Sequence, residues 1–237
     1  MHRRGSNLYS HEPNAEMIFD YIITSHHFKH LANPIQFLQA AEILLKQVGY
    51  LSMASPIHTR CFDLYKPLTS SGKLIDSYIN KLTTPSLGAV FDHHTLGAHK
   101  RDGTLIGKPH LRNEDVKLIW DEIEEFQINP QFNKIGGFKE LQTSLNNGYT
   151  DAHYNFFNPY SFCLIIADLK MIGLLNTLKV NHISENGMEF IVHLRKSAPA
   201  GMQPCSRMSR TELISASSKC LHRIRNVQRE FEINQKN

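Results

Sequence analysis

Apolar residues change their period several times along the chain, and each change marks an element. Ile18, Phe19, Tyr21, Ile22 and Ile23 form a short run rich in aromatic and β-branched side chains, which predicts a buried strand. Ser25-His26-His27 follow at its carboxyl end. Asn33-Pro34 then predicts a helix start, with Asn as N-cap and Pro where a missing N–H costs nothing. Leu38, Ala41, Leu45 and Val48 recur at helical spacing, and Gly49 is the expected left-handed stop. Tyr50 to Ala54 reads as a second strand. Strand, helix and strand in that order predict a right-handed crossover between parallel strands.

Residues 56–112 are punctuated by proline and glycine and read as irregular, apart from a helical patch at Leu74, Ile75, Tyr78, Ile79 and Leu82. Asn113 can cap a helix through Phe126, with Val116, Ile119, Trp120 and Ile123 on one face. Residues 127–157 return to loop. Asn158-Pro159 repeats the earlier start signal, Phe162, Ile165, Ile166, Leu169 and Ile172 line one helical face, and Gly173 closes it. Leu178 to Ile183 and Met188 to Leu194 read as strands joined by a hairpin at Glu185-Asn186-Gly187. These signals divide the chain into a disordered start (1–17), an α/β domain (18–196, with an insertion at 56–157), a linker (197–208) and an amphipathic basic helix (209–232). Ser209 and Glu212 fit a capping box at the start of that helix. Leu213, Cys220, Ile224, Val227 and Phe231 follow as a near-heptad stripe that Ser217 interrupts, a pattern that favours packing on the body or on a second copy over a phosphate-rich or membrane partner.

Composition narrows the classes. A hydrophobic content of 41% and a charged content of 20% over 237 residues are ordinary for a globular chain with a real core. No apolar run reaches the length of a membrane span, and no apolar segment follows the basic start as a signal peptide requires. Cys61, Cys163, Cys205 and Cys220 are far apart, which fits free thiols in a reducing cytoplasmic compartment. The entire net charge of +4 lies in residues 197–237, so the body carries no nucleic-acid signature.

The stretch from Phe19 to Leu51 resembles the middle of a class I S-adenosylmethionine-dependent methyltransferase. Phe19-Asp20, Ser25-His26, His30, Leu45-Lys46 and Gly49 match that family's pattern, while Lys29 stands where it has Glu and Tyr50 where it has a second Gly. Phe62-Asp63, Lys66-Pro67-Leu68-Thr69, Phe91-Asp92-His93, Asp151-x-His153 and Pro159-x-Ser161-Phe162 are similar to one subgroup, so the resemblance runs from about Glu16 to Lys196. It implies a partial Rossmann-like methyltransferase sheet, built from the parallel βαβ unit and a C-terminal antiparallel hairpin, with a helical insertion and a C-terminal helix. The family's Gly-rich cofactor loop lies upstream of this stretch, and no G-x-G occurs in the chain. A truncated form is therefore expected. Its first strand would be an open edge, to be covered by a homodimer or a companion chain.

The same resemblance implies S-adenosyl-L-methionine as cofactor and a small or glycan-type acceptor. Ser25, His26, His27 and His30 are the expected cofactor contacts, because ligands bind beyond the carboxyl ends of strands in open α/β sheets. Arg60, Asp63, Asp92, His93, Asp151 and His153 are candidates for the acceptor side. His153 and Asp92 are the expected catalytic pair, one of them serving as a general base. A metal reading stands beside this one: His26 and His30 are four apart, Asp92, His93, His94 and His99 form a second group, and Asp151 and His153 a third. With 14 histidines some clustering arises by chance, and Asn33-Pro34 starts the helix only after His30, so no metal ligand is assigned. The rival to an enzyme is a methyltransferase remnant that acts as an interaction module.

Overall fold

The computed structural model describes residues 17–100, 126–128, 143, 151–197 and 208–219. The start before residue 17, the expected helix over 113–125, the linker over 198–207 and the tail after 219 lie outside these residues. Six strands and five helices are described: β1 Phe19–Ser25, α1 Pro34–Leu44, β2 Leu45–Pro56, α2 Ser71–Ile79, α3 Leu87–Thr95, β3 Ala98–Lys100, β4 Phe126–Ile128, α4 Pro159–Met171, β5 Leu178–Asn186 and β6 Glu189–Lys196, followed by α5 over 210–219.

The main sheet has the order β1-β2-β6-β5. β1 and β2 are parallel, with Ile22 opposite Leu51 and Ser25 opposite Ala54. β6 runs antiparallel to both of its neighbours, with Leu194 opposite Leu51 and opposite Val180. The βαβ unit and the closing hairpin are therefore as the apolar pattern predicts, and the hairpin turns at Gly187 with φ +60°. Leu51, Met53, Phe190, Val192 and Leu194 join Ile35, Leu38, Phe162 and Ile166 in one buried core, because their strands alternate buried and half-buried positions.

Three expectations are corrected. β1 is not a buried strand: Phe19, Tyr21 and Ile23 are exposed and only Ile22 and Thr24 are partly covered, since β2 is the one neighbour that the described residues supply. The supposedly irregular stretch holds α3 and β3 besides α2, and Phe126 begins a short strand that pairs with Lys100. The signal for α3 is its N-cap: Ser86 accepts from the Ala89 N–H.

The third correction concerns Gly49. α1 ends at Leu44, and the residue with left-handed backbone is Val48 at φ +62°. The stop comes from a distant side chain. Lys196 of β6 reaches the end of α1 and donates from Nζ to the Leu45 carbonyl at 2.7 Å and to that of Glu42, which satisfies carbonyls that a helix end leaves orphaned. The Glu42 carboxylate in turn accepts from the Asn176 N–H at 2.9 Å and the Leu178 N–H at 2.7 Å. Gly49 is needed for closeness instead: a Cβ there would lie 2.9 Å from the Lys46 carbonyl oxygen and 3.0 Å from that of Asp20. Gly49→Ala is therefore expected to cost roughly 1–3 kcal/mol by overpacking against backbone, read from urea unfolding. An unchanged stability would contradict this account of the position.

The helix starts behave as predicted. Asn33 Oδ1 accepts from the Gln36 N–H, and Asn158 and Ser161 form a reciprocal capping box. Ser209 and Glu212 do the same at the start of α5. Along α5, Leu213 and Ser217 are buried and Arg210 pairs with Asp168 of α4 at 2.8 Å. The described part of the basic helix thus packs on the body, with Ser217 in the contact. No helix among the described residues is long and apolar enough to cross a membrane.

Candidate functional site

At the carboxyl ends of β1 and β2 the chain gathers buried charge. β1 runs into a turn at His26, whose φ is +55°, and then into a 3-10 turn at Phe28–His30. β2 runs into Ile57 and a second 3-10 turn at His58–Arg60, which leads to Asp63. The segment before α4 lies across both: the N–H groups of Tyr154 and Asn155 donate to the Lys29 carbonyl at 2.8 and 2.9 Å, and the Phe157 carbonyl accepts from the His58 N–H. Residues 90 positions apart in sequence therefore share one wall.

Asp63 is the centre of that wall. It is 2% exposed, and its two carboxylate oxygens serve different partners. Lys66 Nζ donates to Oδ1 at 2.8 Å and His153 Nδ1 donates to Oδ2 at 2.7 Å. Burial pushes the Asp63 carboxyl up, but the His153 hydrogen bond and the Lys66 charge outweigh it and hold it well below the usual carboxylate range. Lys66 is itself fully enclosed and sits over the Phe62 and Phe156 rings. Burial lowers the pKa of His153, with Asp63 opposing, so the ring is neutral near pH 7. A neutral imidazole with its Nδ1 proton held by a carboxylate presents Nε2 as the basic nitrogen.

Other imidazoles surround this pair. The His30 ring meets the His153 ring edge-on at 4.8 Å, and Phe62 lies against it at 4.6 Å. His93 Nδ1 accepts from the His153 backbone N–H at 3.2 Å. His30 Nδ1 is 2.8 Å from Asp151 Oδ1, at ion-pair distance but poorly aligned for a hydrogen bond. Burial lowers the His30 pKa, and His153 adds to the effect. Asn155 Oδ1 is likewise buried without a hydrogen-bond partner, although its Nδ2 donates to the Leu31 carbonyl.

The predicted site residues divide by place. His26 and His30 come to this wall. His26 Nε2 pairs with Glu189 at the start of β6, and Lys29 Nζ lies 3.4 Å from His26 Nδ1. His27 turns instead to the edge of the Phe37 ring on α1, and Ser25 is exposed at the end of β1. His153, Asp63, Asp151 and His93 converge. Asp92 stands apart on α3, close enough to Lys73 to favour its ammonium form. Burial nevertheless lowers the Lys73 pKa to about 8, and its Nζ lies over the Tyr154 ring at 4.1 Å. Arg60 ties the second 3-10 turn to the hairpin, through the Gly187 carbonyl at 2.8 Å and Glu185 at 2.5 Å.

Lys29, Lys66, Cys61 and Glu189 were not among the residues that sequence reasoning singled out for chemistry. Lys29 had a signal, as a cation where the resembled pattern carries Glu. It is buried, which lowers its pKa, and the carboxylates of Asp63, Asp151 and Glu189 oppose that effect. Burial raises the Cys61 thiol well above its usual range, so it is no thiolate nucleophile. Among the described residues no group of three or more His, Cys, Asp or Glu side chains is arranged to hold a metal ion.

Comparisons with protein-family models, with curated proteins and with solved structures found no match to the chain. What fold and site define is therefore an α/β protein with a four-stranded open sheet containing one parallel pair. Its candidate site is a carboxylate-oriented histidine at the carboxyl ends of the parallel strands.

Two outcomes follow from the buried charges. Asp63→Asn leaves the Lys66 ammonium buried without its counter-charge, a loss expected at about 3–5 kcal/mol, and adding Lys66→Met is expected to recover most of it. A single-variant loss that the second change does not relieve would contradict the pairing. His58 is buried with its pKa lowered to about 4, so the folded state resists protonation where the unfolded chain accepts it. Stability is then expected to fall by roughly 3 kcal/mol as pH drops from the ordinary histidine range toward 4. His58→Gln is expected to flatten this slope in urea titrations at several pH values, and an equal slope in the variant would exclude His58 as its source.

Proposed function

We propose that this chain carries the C-terminal half of an S-adenosyl-L-methionine-dependent methyltransferase fold and acts on a small or glycan-type acceptor. The observation that carries the reading is the convergence of two candidate groups drawn from distant sequence. His30, from the turn expected at the cofactor, and His153, expected at the acceptor, lie against each other at the carboxyl ends of β1 and β2, where open α/β sheets bind ligands. The sheet order supports it as well, because a helix followed by an antiparallel hairpin is how the resembled family ends its sheet.

The donor set fits one wall of an adenosyl site. Asn155 Oδ1 is a buried acceptor without a hydrogen-bond partner, suited to a ribose hydroxyl or an adenine amino group. When bound, the cofactor supplies an electrophilic methyl group. The residues of this chain handle the proton: His153 Nε2 removes it from the acceptor hydroxyl, and Asp63 orients the ring through Nδ1 and stabilises the imidazolium that results. Lys66 keeps Asp63 ionised throughout.

Calorimetry with the cofactor, paired with transfer of a labelled methyl group to a glycan mixture, tests the proposal. Saturable binding is expected, weakened by His30→Ala and unchanged by His153→Gln. Transfer is expected to fall by about 10²–10⁴-fold in His153→Gln. No saturable binding, or equal transfer by His153→Gln, would overturn it. A second reading, a non-catalytic interaction module, is favoured by one observation: the apolar β1 edge is open among the described residues.

A further inference from the structure

The edge of β1 is a seven-residue strand, FDYIITS, open among the described residues and, apart from a register shift between Phe19 and Tyr21, with few of the devices that usually protect an edge. It contains no proline and no lysine, and its single charge, Asp20, is neutralised by Lys46 at 2.8 Å. Tyr21 is 65% and Ile23 is 78% exposed. Such an edge is a template for another strand.

The direction of its backbone groups is fixed by two bonds to the neighbouring strand. The Ile18 N–H donates to the Leu44 carbonyl and the His26 N–H to the Ala54 carbonyl, each at 3.0 Å. Backbone groups alternate sides along a strand. Even-numbered residues therefore point theirs at β2, and Phe19, Tyr21, Ile23 and Ser25 point theirs outward.

Reversed and laid against itself about Ile22, this strand is its own complement. Phe19 falls opposite Ser25, Asp20 opposite Thr24, and Tyr21 opposite Ile23. Every outward-pointing residue then meets an outward-pointing residue, as the hydrogen-bonded pairs of an antiparallel ladder require. No like charges oppose each other. The two Tyr21–Ile23 contacts are aromatic to β-branched, a favourable cross-strand class. Side chains on the open face of one copy stay on the open face of the joined sheet. Asp20 never meets its own copy, and this charge pattern is what selects a second copy as occupant.

We propose that two copies of this chain join β1 to β1 in antiparallel register centred on Ile22, forming a continuous eight-stranded sheet with two-fold symmetry. The inference stands on the sheet alone and not on the methyl-transfer reading.

The register makes the test specific. The unvaried chain is expected to sediment as a dimer. Ile23→Pro removes an N–H that points outward, so it is expected to give a monomer with unchanged circular dichroism. Ile22→Cys places two thiols at the non-hydrogen-bonded pair on the axis, at a separation that a disulfide spans. It is expected to cross-link on mild oxidation, whereas Tyr21→Cys, which has no facing copy of itself, does not. A monomer at every attainable concentration would overturn the proposal. So would a dimer that survives Ile23→Pro in a folded protein, or cross-linking of Tyr21→Cys as readily as Ile22→Cys. Should Ile23→Pro fail to fold, the cysteine pair decides alone.

Discussion

A carboxylate that must stay charged inside the protein is what the rest of this structure is arranged around. Asp63 sits beyond the carboxyl end of β2 with almost no solvent, where an isolated charge would cost several kcal/mol. Two groups make its ionisation favourable, Lys66 three residues on and His153 from the segment before α4. The first is local and the second is not. Satisfying Asp63 therefore pulls the distant segment onto the two 3-10 turns, and with it the backbone bonds from Tyr154 and Asn155 to Lys29. The same requirement that closes the fold leaves a neutral imidazole oriented against that carboxylate.

The electrostatics of the cluster also limit what it can do. Lys29 stands where the resembled pattern has a carboxylate, and it lies among Asp63, Asp151 and Glu189. The turn after β1 is thus held from the protein side, through His26 and Glu189. Burial keeps Cys61 protonated, and the oriented polar contact of the cluster is the one between Asp63 and His153.

The parts of the fold that rest on short-range rules were legible in the sequence. Asn33-Pro34 and Asn158-Pro159 each begin a helix where their capping chemistry says, and Gly187 turns the closing hairpin. Features set by distant partners were not legible. Gly49 looked like a helix stop, but Lys196 from the last strand ends α1, and the glycine is demanded by carbonyls that approach it. β1 looked buried because its composition suits a core strand, yet burial depends on what lies on its far side. Of the site, His153, His26 and His30 could be named from motif spacing. The assignment of Asp63, and not Asp92, as the carboxylate in contact with His153 required knowing that α3 carries Asp92 toward Lys73.

The central claim is that Asp63 holds the proton on Nδ1 of a neutral His153 and leaves Nε2 as a base. Nitrogen-detected NMR of the histidine rings across a pH titration measures this directly. The account predicts that His153 carries its proton on Nδ1 at neutral pH and titrates below the ordinary histidine range, because burial outweighs the neighbouring carboxylate. A proton on Nε2 at neutral pH, or a His153 pKa above that range, would contradict it.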